Sequence, residues 1–427
     1  MKNDIFIVGL DQFNLSILQS MQNIEAYDFH PLLTYPDIRL RDDFPVREFL
    51  DGARRTLEKS EHEPDAIVGY WDFPVTSLVP ILCRERGLIA PTLESVFKCE
   101  HKYWSRLEQQ KVVPECVPAF QRVDPFAKNS SDTIRLEYPF WIKPVKSFHS
   151  YLSFFVENQN QLEDALGSMR RNIQTLQEPF EYLLSQADVP QDIARGGFCL
   201  AEKSIPGRQC TVSGYVYRGE TVIYGVVDSL IQSGTGSSFS RFQYPSPLPE
   251  KVQQRMADLS RSYITHIGYE DAPFNIEYFY DEHTDTLSLL EANPRISQSH
   301  SMVYQLVDGE TNHLVMLELA LGRDPKFPHR QGRFPMAAKC FFRHVGDGVV
   351  SRVPGKGELD QVREIAPEAM VKIDVTTGDR LSTLRHQDSF SYELGYVFLG
   401  GENEEEITEK FERIEETLGF AFEEVNL

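Results

Sequence analysis

Apolar residues recur along this chain with two different periods, and their alternation predicts an α/β (α+β) protein. Asp4 to Gly9 is an apolar run of strand length, Leu15, Leu18 and Met21 follow at helical spacing, and Asp65 to Gly69 predicts a second strand. A helical segment from Cys99 to Gln110 carries Lys102, and Val112 to Val117 then passes through prolines, which places a domain boundary near residue 113. Beyond it, Phe140 to Lys143 and Tyr151 to Glu157 predict strands joined by residues 144–150, while Leu162, Leu166, Met169 and Ile173 share one helical stripe. Phe198 to Ile205 predicts a further strand entering the turn Pro206-Gly207. Val252, Met256, Leu259 and Tyr263 mark an amphipathic helix, and Ile407, Phe411, Ile414 and Leu418 mark a closing one. The Glu404 to Glu406 run at the start of that last helix complements its dipole. The expected organisation is an N-terminal unit over residues 1–112, a small central lid over 113–203 and a larger C-terminal mixed α/β unit over 204–427.

One hairpin departs from ordinary patterning. Phe274 to Tyr280 and Leu287 to Glu291 read as strands flanking a polar loop, Asp281 to Thr286. Strand period places Asn275 and Glu277 on one face, Glu291 and Asn293 on the matching face of the partner, and Ile276, Tyr278 and Leu290 on the other side. Glu277 then falls opposite or diagonal to Glu291. Like charges so placed destabilise a sheet, and burial would drive one to neutrality. A hard divalent cation removes the conflict. Two carboxylates and an amide oxygen suit Mg²⁺ or Mn²⁺, which take oxygen ligands and share them with nucleotide phosphates. The competing reading is a solvated hairpin face.

Composition narrows the classes of partner. A chain of 427 residues is long enough for more than one core. Its net charge of -21 repels phosphate backbones and anionic lipid, and no basic patch offsets it, so neither nucleic acid nor membrane is expected as a partner. The apolar stretch Ile5 to Leu10 is too short for a signal peptide or a spanning helix, so a cytoplasmic location is expected. Six cysteines without C-x-x-C spacing argue against a zinc site or a disulfide framework. Gly9 is followed by Leu10, Asp11 and Gln12, so the dinucleotide fingerprint is absent, and there is no Walker A motif. Any anionic ligand must be met by individually placed cations. Lys102 sits before the lid and Lys143 ends the apolar strand Tyr-Pro-Phe-Trp-Ile-Lys-Pro, where Trp141 and Ile142 draw its stem inward. An ordinary exposed helix lysine is the competing reading of Lys102. The turn after Phe198 to Ile205 opens backbone groups that suit the edge of a purine.

In order, Lys102, Lys143-Pro144, Glu202-Lys203-Ser204-Ile205-Pro206-Gly207, Glu277 and Glu291-Ala292-Asn293-Pro294-Arg295 resemble the ATP-grasp superfamily. The resemblance spans most of the chain and lies nearest the L-amino-acid ligase and biotin carboxylase-like branches. It implies the ATP-grasp fold: a Rossmann-like N-terminal domain, a small lid and a larger C-terminal domain. It implies ATP between lid and C-terminal domain, with Lys102 and Lys143 on phosphates and Glu202, Lys203 and Ile205 around adenine. It puts Mg²⁺ or Mn²⁺ on Glu277, Glu291 and Asn293, and sets Arg295 facing a reacting carboxylate or acyl phosphate, a task suited to a bidentate guanidinium.

Two departures stand out. Residues 144–155 contain no glycine where many relatives have a glycine-rich turn, leaving Ser147, His149 and Ser150 to meet phosphate; Ser150 matches a serine of D-alanyl-D-alanine ligases. Gln209 lies where several relatives place an acidic residue on the ribose. The expected function is an ATP-dependent carboxylate–amine ligase acting on small molecules, amino acids foremost, with Arg295 and Lys143 catalytic, and a homodimer is among the expected assemblies. His300 and Arg241 are further candidates for substrate contact, His300 having an equal claim to a structural role. Biotin carboxylase-like carboxylation and a non-catalytic nucleotide-binding role stand as alternatives.

Overall fold

The computed structural model describes residues 2–39, 41, 43–147, 151–194, 197–232, 238–384, 387 and 391–424. Its N-terminal sheet is parallel, with β1 (Asn3–Leu10) between β2 (Tyr27–Thr34) and β3 (Ala66–Val68). The apolar runs at β1 and β3 match the pattern-based expectation. β2 escaped it because Pro31 interrupts a strand-like run; the register breaks beside Pro31, a defect that an edge strand tolerates. Helices Val46–Lys59 and Val75–Arg86 cover this sheet through Phe49, Leu50, Leu78 and Leu82, packed on Phe6 and Val8. At the carboxyl end of β3, Trp71 donates its indole N–H to Gly9 O at 2.8 Å, which fixes the loop Tyr70-Trp71-Asp72 above the strand ends. Gly9 has φ +78°, and a Cβ there would stand 2.9 Å from Trp71.

The single helix expected over Cys99 to Gln110 is two, Leu93–Glu100 and Lys102–Val112, broken at His101. His101 leaves helical geometry and its Nδ1 accepts from Trp104 N at 3.2 Å, so it caps the second helix and makes Lys102 its first residue. Lys102 N in turn donates to Val145 O at 2.8 Å, tying that helix to the next sheet.

That sheet contains β4 (Phe120–Val123), β5 (Phe140–Pro144), β6 (Phe154–Val156) and β7 (Cys199–Lys203), antiparallel in the order β4-β7-β5-β6. Helix Gln159–Asn172 seats Leu162, Leu166 and Met169 on Phe140, Ile142, Val156 and Ala201, as the stripe predicts. A following helix, Gln174–Leu184, turns Leu176, Phe180 and Leu183 toward the N-terminal core.

The remaining strands are β8 (Arg208–Tyr217), β9 (Glu220–Ile231), β10 (Phe239–Tyr244), β11 (Pro273–Asp281), β12 (Thr286–Asn293), β13 (Met336–His344), β14 (Gly348–Arg352), β15 (Met370–Ile373), β16 (Tyr392–Gly401) and β17 (Ala421–Glu424). Eight of them form one sheet, β12-β11-β8-β9-β10-β13-β16-β15, while β14 and β17 pair separately. Helix Glu250–His266 packs Val252, Met256 and Ile264 on the inner residues of β8, β11 and β12. The turn from β7 into β8 runs through Gly207 at φ +112°, where a Cβ would meet Tyr280 O at 2.4 Å. The six cysteines are free and buried. Among the described residues no helix is long and apolar enough to cross a membrane.

Candidate functional site

β11 and β12 pair antiparallel with Glu277 directly opposite Glu291 and Asn275 opposite Asn293. The register shifts by one residue beside Glu277, and Leu290 is the extra residue of that bulge. This corrects the simple alternation expected for β12. Leu287 and Leu289 lie in the core, Leu290 is only half-buried, and beyond the bulge Ala292 takes the core side while Glu291 and Asn293 share the opposite face with Glu277. Burial, then the Glu291 charge, pushes the Glu277 carboxyl above its ordinary range. Burial acts on Glu291 in the same sense, but Lys102 and Lys143 outweigh it and hold that carboxyl low.

Amides fix the pair from the side. Gln209 Nε2 donates to Glu277 Oε2 at 2.7 Å, and Asn293 Nδ2 to Glu277 Oε1 at 3.2 Å and Asn275 Oδ1 at 3.1 Å. Asn275 Nδ2 donates to Arg295 O at 2.9 Å. Asn293 therefore keeps its Oδ1 as an acceptor beside two facing carboxylates, a donor set that fits a hard divalent cation. Gln209, expected at a ribose, here braces Glu277.

Cations border this pair. Lys102 Nζ lies 2.8 Å from Glu291 Oε2. Lys143 pairs with Glu202, whose other oxygen accepts from Arg106 Nε at 3.0 Å and Nη2 at 2.9 Å. Arg106 also donates to the carbonyls of Leu289 and Leu290, each at 2.8 Å, so the bulge presents both to one guanidinium. Glu202 is buried; burial raises its carboxyl, yet Arg106 and Lys143 bring it down to about 2. Its side chain is thus turned inward, while Lys203 is exposed and Ile205 half-buried where β7 ends. Ser150 and His149 lie outside the described residues. Lys146, which pattern reading passed over, pairs with Glu100 at 3.1 Å and stands 5.1 Å from the Phe73 ring centre.

Arg295 reaches across to the N-terminal sheet. Its Nε and Nη2 donate to Asp72 Oδ1 at 3.0 Å and Oδ2 at 2.7 Å, a bidentate pair. Asp72 was not singled out from sequence, although it follows an apolar strand at the carboxyl end where α/β sheets present ligand groups. A cavity of about 160 Å³ opens beside this pair, lined among others by Trp71, Asp72, Phe242, Glu277, Arg295, Ser299 and His300. His300 is buried, and burial, then Lys339 and Arg295, lowers its imidazole to about 3, so the ring is neutral. Arg241 is not part of this cavity's lining: it pairs with Glu404 and donates to Thr408 Oγ1 at 2.9 Å, anchoring the closing helix Glu404–Leu418.

Residues 136–302 match the family profile described as the ATP-grasp domain. No curated protein matches the chain. Among solved structures, the L-amino acid ligase from Bacillus licheniformis aligns with a TM-score of 0.72 at 15% identity, over 99% of both chains. Biotin carboxylase from Campylobacter jejuni, in a βγ-ATP complex, gives 0.65 at 15% identity over 99% of this chain and 92% of that one. Phosphoribosylglycinamide synthetase from Anaerococcus prevotii gives 0.64 at 11% identity, over 99% and 100% respectively. At such identities the likeness is one of fold.

Proposed function

We propose that this chain, an ATP-grasp protein by its fold and its matched domain, is an ATP-dependent ligase that joins a small carboxylate to an amine through an acyl phosphate. One observation carries the reading: Glu277 and Glu291 face each other across a hairpin whose border holds Lys102, Lys143 and Arg295. Paired carboxylates beside separate cations suit a phosphoryl group and its counter-ion better than they suit acid–base hydrolysis.

Glu277, Glu291 and Asn293 would hold Mg²⁺ or Mn²⁺, which when bound neutralises charge on the nucleotide phosphates. Lys102 and Lys143 bind phosphate oxygens, exchanging their present carboxylate partners for the nucleotide. Lys203 and Ile205 offer backbone groups to adenine, and Ser150 is assigned to the phosphates. Arg295, held in line by Asp72, orients the acceptor carboxylate for attack on the γ-phosphate. ADP forms first; the amine then adds to the acyl phosphate and displaces phosphate. The β4–β7 sheet covers the cleft and excludes water from that reactive species. A cavity with aromatic walls and a guanidinium at one end suits an amino acid as carboxylate donor.

The test is phosphate release by purified protein with ATP, Mg²⁺ and a matrix of amino acid pairs. Release that requires two amino acids and yields a dipeptide supports the ligase. Release that requires bicarbonate and biotin would replace it with carboxylase chemistry, and binding of ATP without turnover under any condition would leave a nucleotide-binding protein.

A further inference from the structure

We propose that Ser299 and Lys339 form a proton-accepting pair that turns the incoming substrate ammonium into a free amine, with Ser299 touching the amine and Lys339 receiving the proton through it. The inference rests on the ligase reading and deepens it. An amino group enters at neutral pH as an ammonium, which has no lone pair to attack an acyl phosphate, so a base must be within reach.

Neighbouring candidates are committed. Asp72 is held in its bidentate pair with Arg295, Glu277 and Glu291 belong to the metal-binding face, and His300 sits among positive neighbours that oppose taking a proton. Lys339 is different. It is 3% exposed, and the only side-chain hydrogen bond it makes among the described residues is donated from Nζ to Ser299 Oγ at 3.2 Å. Ser229 on β9, Phe242 on β10, Lys339 on β13 and Phe398 on β16 are successive cross-strand neighbours and so share one face of the large sheet. Ser229, Phe242 and Ser299 line the cavity, which places the amine one strand behind its wall. Nζ also lies 3.6 Å from the Tyr396 ring centre, a surface that receives an ammonium once formed.

Charge around the amine keeps its titration near working pH. Burial lowers it; Glu393 and Asp374 raise it, Lys372 and Arg343 lower it again, and it ends at about 8. His300 and Arg295 face the same region from the segment after β12. A buried lysine so tuned exchanges protons readily.

The step balances. An N–H bond of the substrate ammonium breaks and its proton passes to Ser299 Oγ, while the Ser299 hydroxyl proton passes to the lone pair of neutral Lys339 Nζ. Serine ends as it began. Lys339 becomes an ammonium, the freed amine forms the C–N bond at the acyl carbon, the bond from that carbon to the phosphate oxygen breaks, and the leaving phosphate carries off the second N–H proton as hydrogen phosphate, which leaves a neutral amide. Lys339 returns its proton to solvent after product leaves.

The experiment compares two acceptors. Each of the twenty standard L-amino acids is supplied with ATP and Mg²⁺, either with a second amino acid or with hydroxylamine, which is already a free base at neutral pH. Lys339→Met and Lys339→Arg are both expected to lose about 10²-fold or more of dipeptide formation at pH 7 while still forming hydroxamate. Arginine keeps the charge but cannot release its proton, so it separates a base from a structural cation. Ser299→Ala should follow the Lys339 variants. Wild-type dipeptide formation should fall as pH drops below about 8, with hydroxamate formation level across the same range. Near-normal dipeptide formation by Lys339→Arg, or equal losses with both acceptors, overturns the pair while leaving the ligase intact. Absence of hydroxamate from the wild-type protein with every amino acid overturns the ligase reading itself, and the pair with it.

Discussion

Glu291 stands opposite Glu277 and 2.8 Å from Lys102, so removing its charge alters both neighbours without emptying any core position. Glu291→Gln is expected to lower ATP turnover by about 10²-fold or more, an effect of the size seen when one electrostatic group is removed from an active site. The variant should unfold at the wild-type temperature; near-normal turnover would remove the metal assignment. Glu202 behaves differently because it is buried between Arg106 and Lys143. Glu202→Gln leaves two cations without their counter-charge, and a loss of about 3–5 kcal/mol is expected in urea unfolding at pH 7. The folded carboxyl lies near 2 against 4.5 for its free value, so its contribution is complete above the free value and is lost as pH falls toward 2. The gap between variant and wild type should therefore shrink by pH 3, and a constant gap would contradict this account. At this scale the carboxylate pair was legible because two acids on facing strands are unusual. Asp72, Lys146 and Lys339 were not, since a lone charge after an apolar run has no pattern to mark it until the fold supplies its partner.

Among the elements, strand and helix interiors followed their apolar periods closely, and the disagreements fall where a local device overrides the period. Leu290 shifts β12 by one place, so core and cleft residues exchange parity within a single strand. His101 divides one apparent helix by capping the second half, and Pro31 hides an edge strand. These devices act through backbone hydrogen bonds, which apolar spacing does not report. The β7–β8 turn offers a direct check. Gly207 has positive φ and no room for a Cβ against Tyr280 O, so Gly207→Ala should destabilise by more than about 1 kcal/mol in thermal or urea unfolding. An unchanged midpoint would mean that this turn relaxes freely.

For the whole molecule, the order of short motifs along the chain was enough to imply the ATP-grasp fold, because Lys102 opens a helix, the other motifs close strands and Glu277 marks the middle of one. Contacts between units were not legible, as they join residues far apart in sequence. The Arg295–Asp72 pair is the clearest: it ties the end of the carboxylate hairpin to the loop above the N-terminal sheet. Asp72→Asn should cut kcat/KM for the carboxylate substrate by about 10²-fold, the scale of a misplaced reacting group, with KM for ATP unchanged. An equal rise in both KM values would instead mean that the units had separated. The same long-range logic applies to the surplus residue in β12. Because Leu289 and Leu290 both offer carbonyls to Arg106, and Arg106 and Lys143 grip one glutamate, a kink in β12 is mechanically linked to β7 of another sheet. Shortening β12 by one residue would leave its acids on the correct side and still loosen the tether between the two sheets.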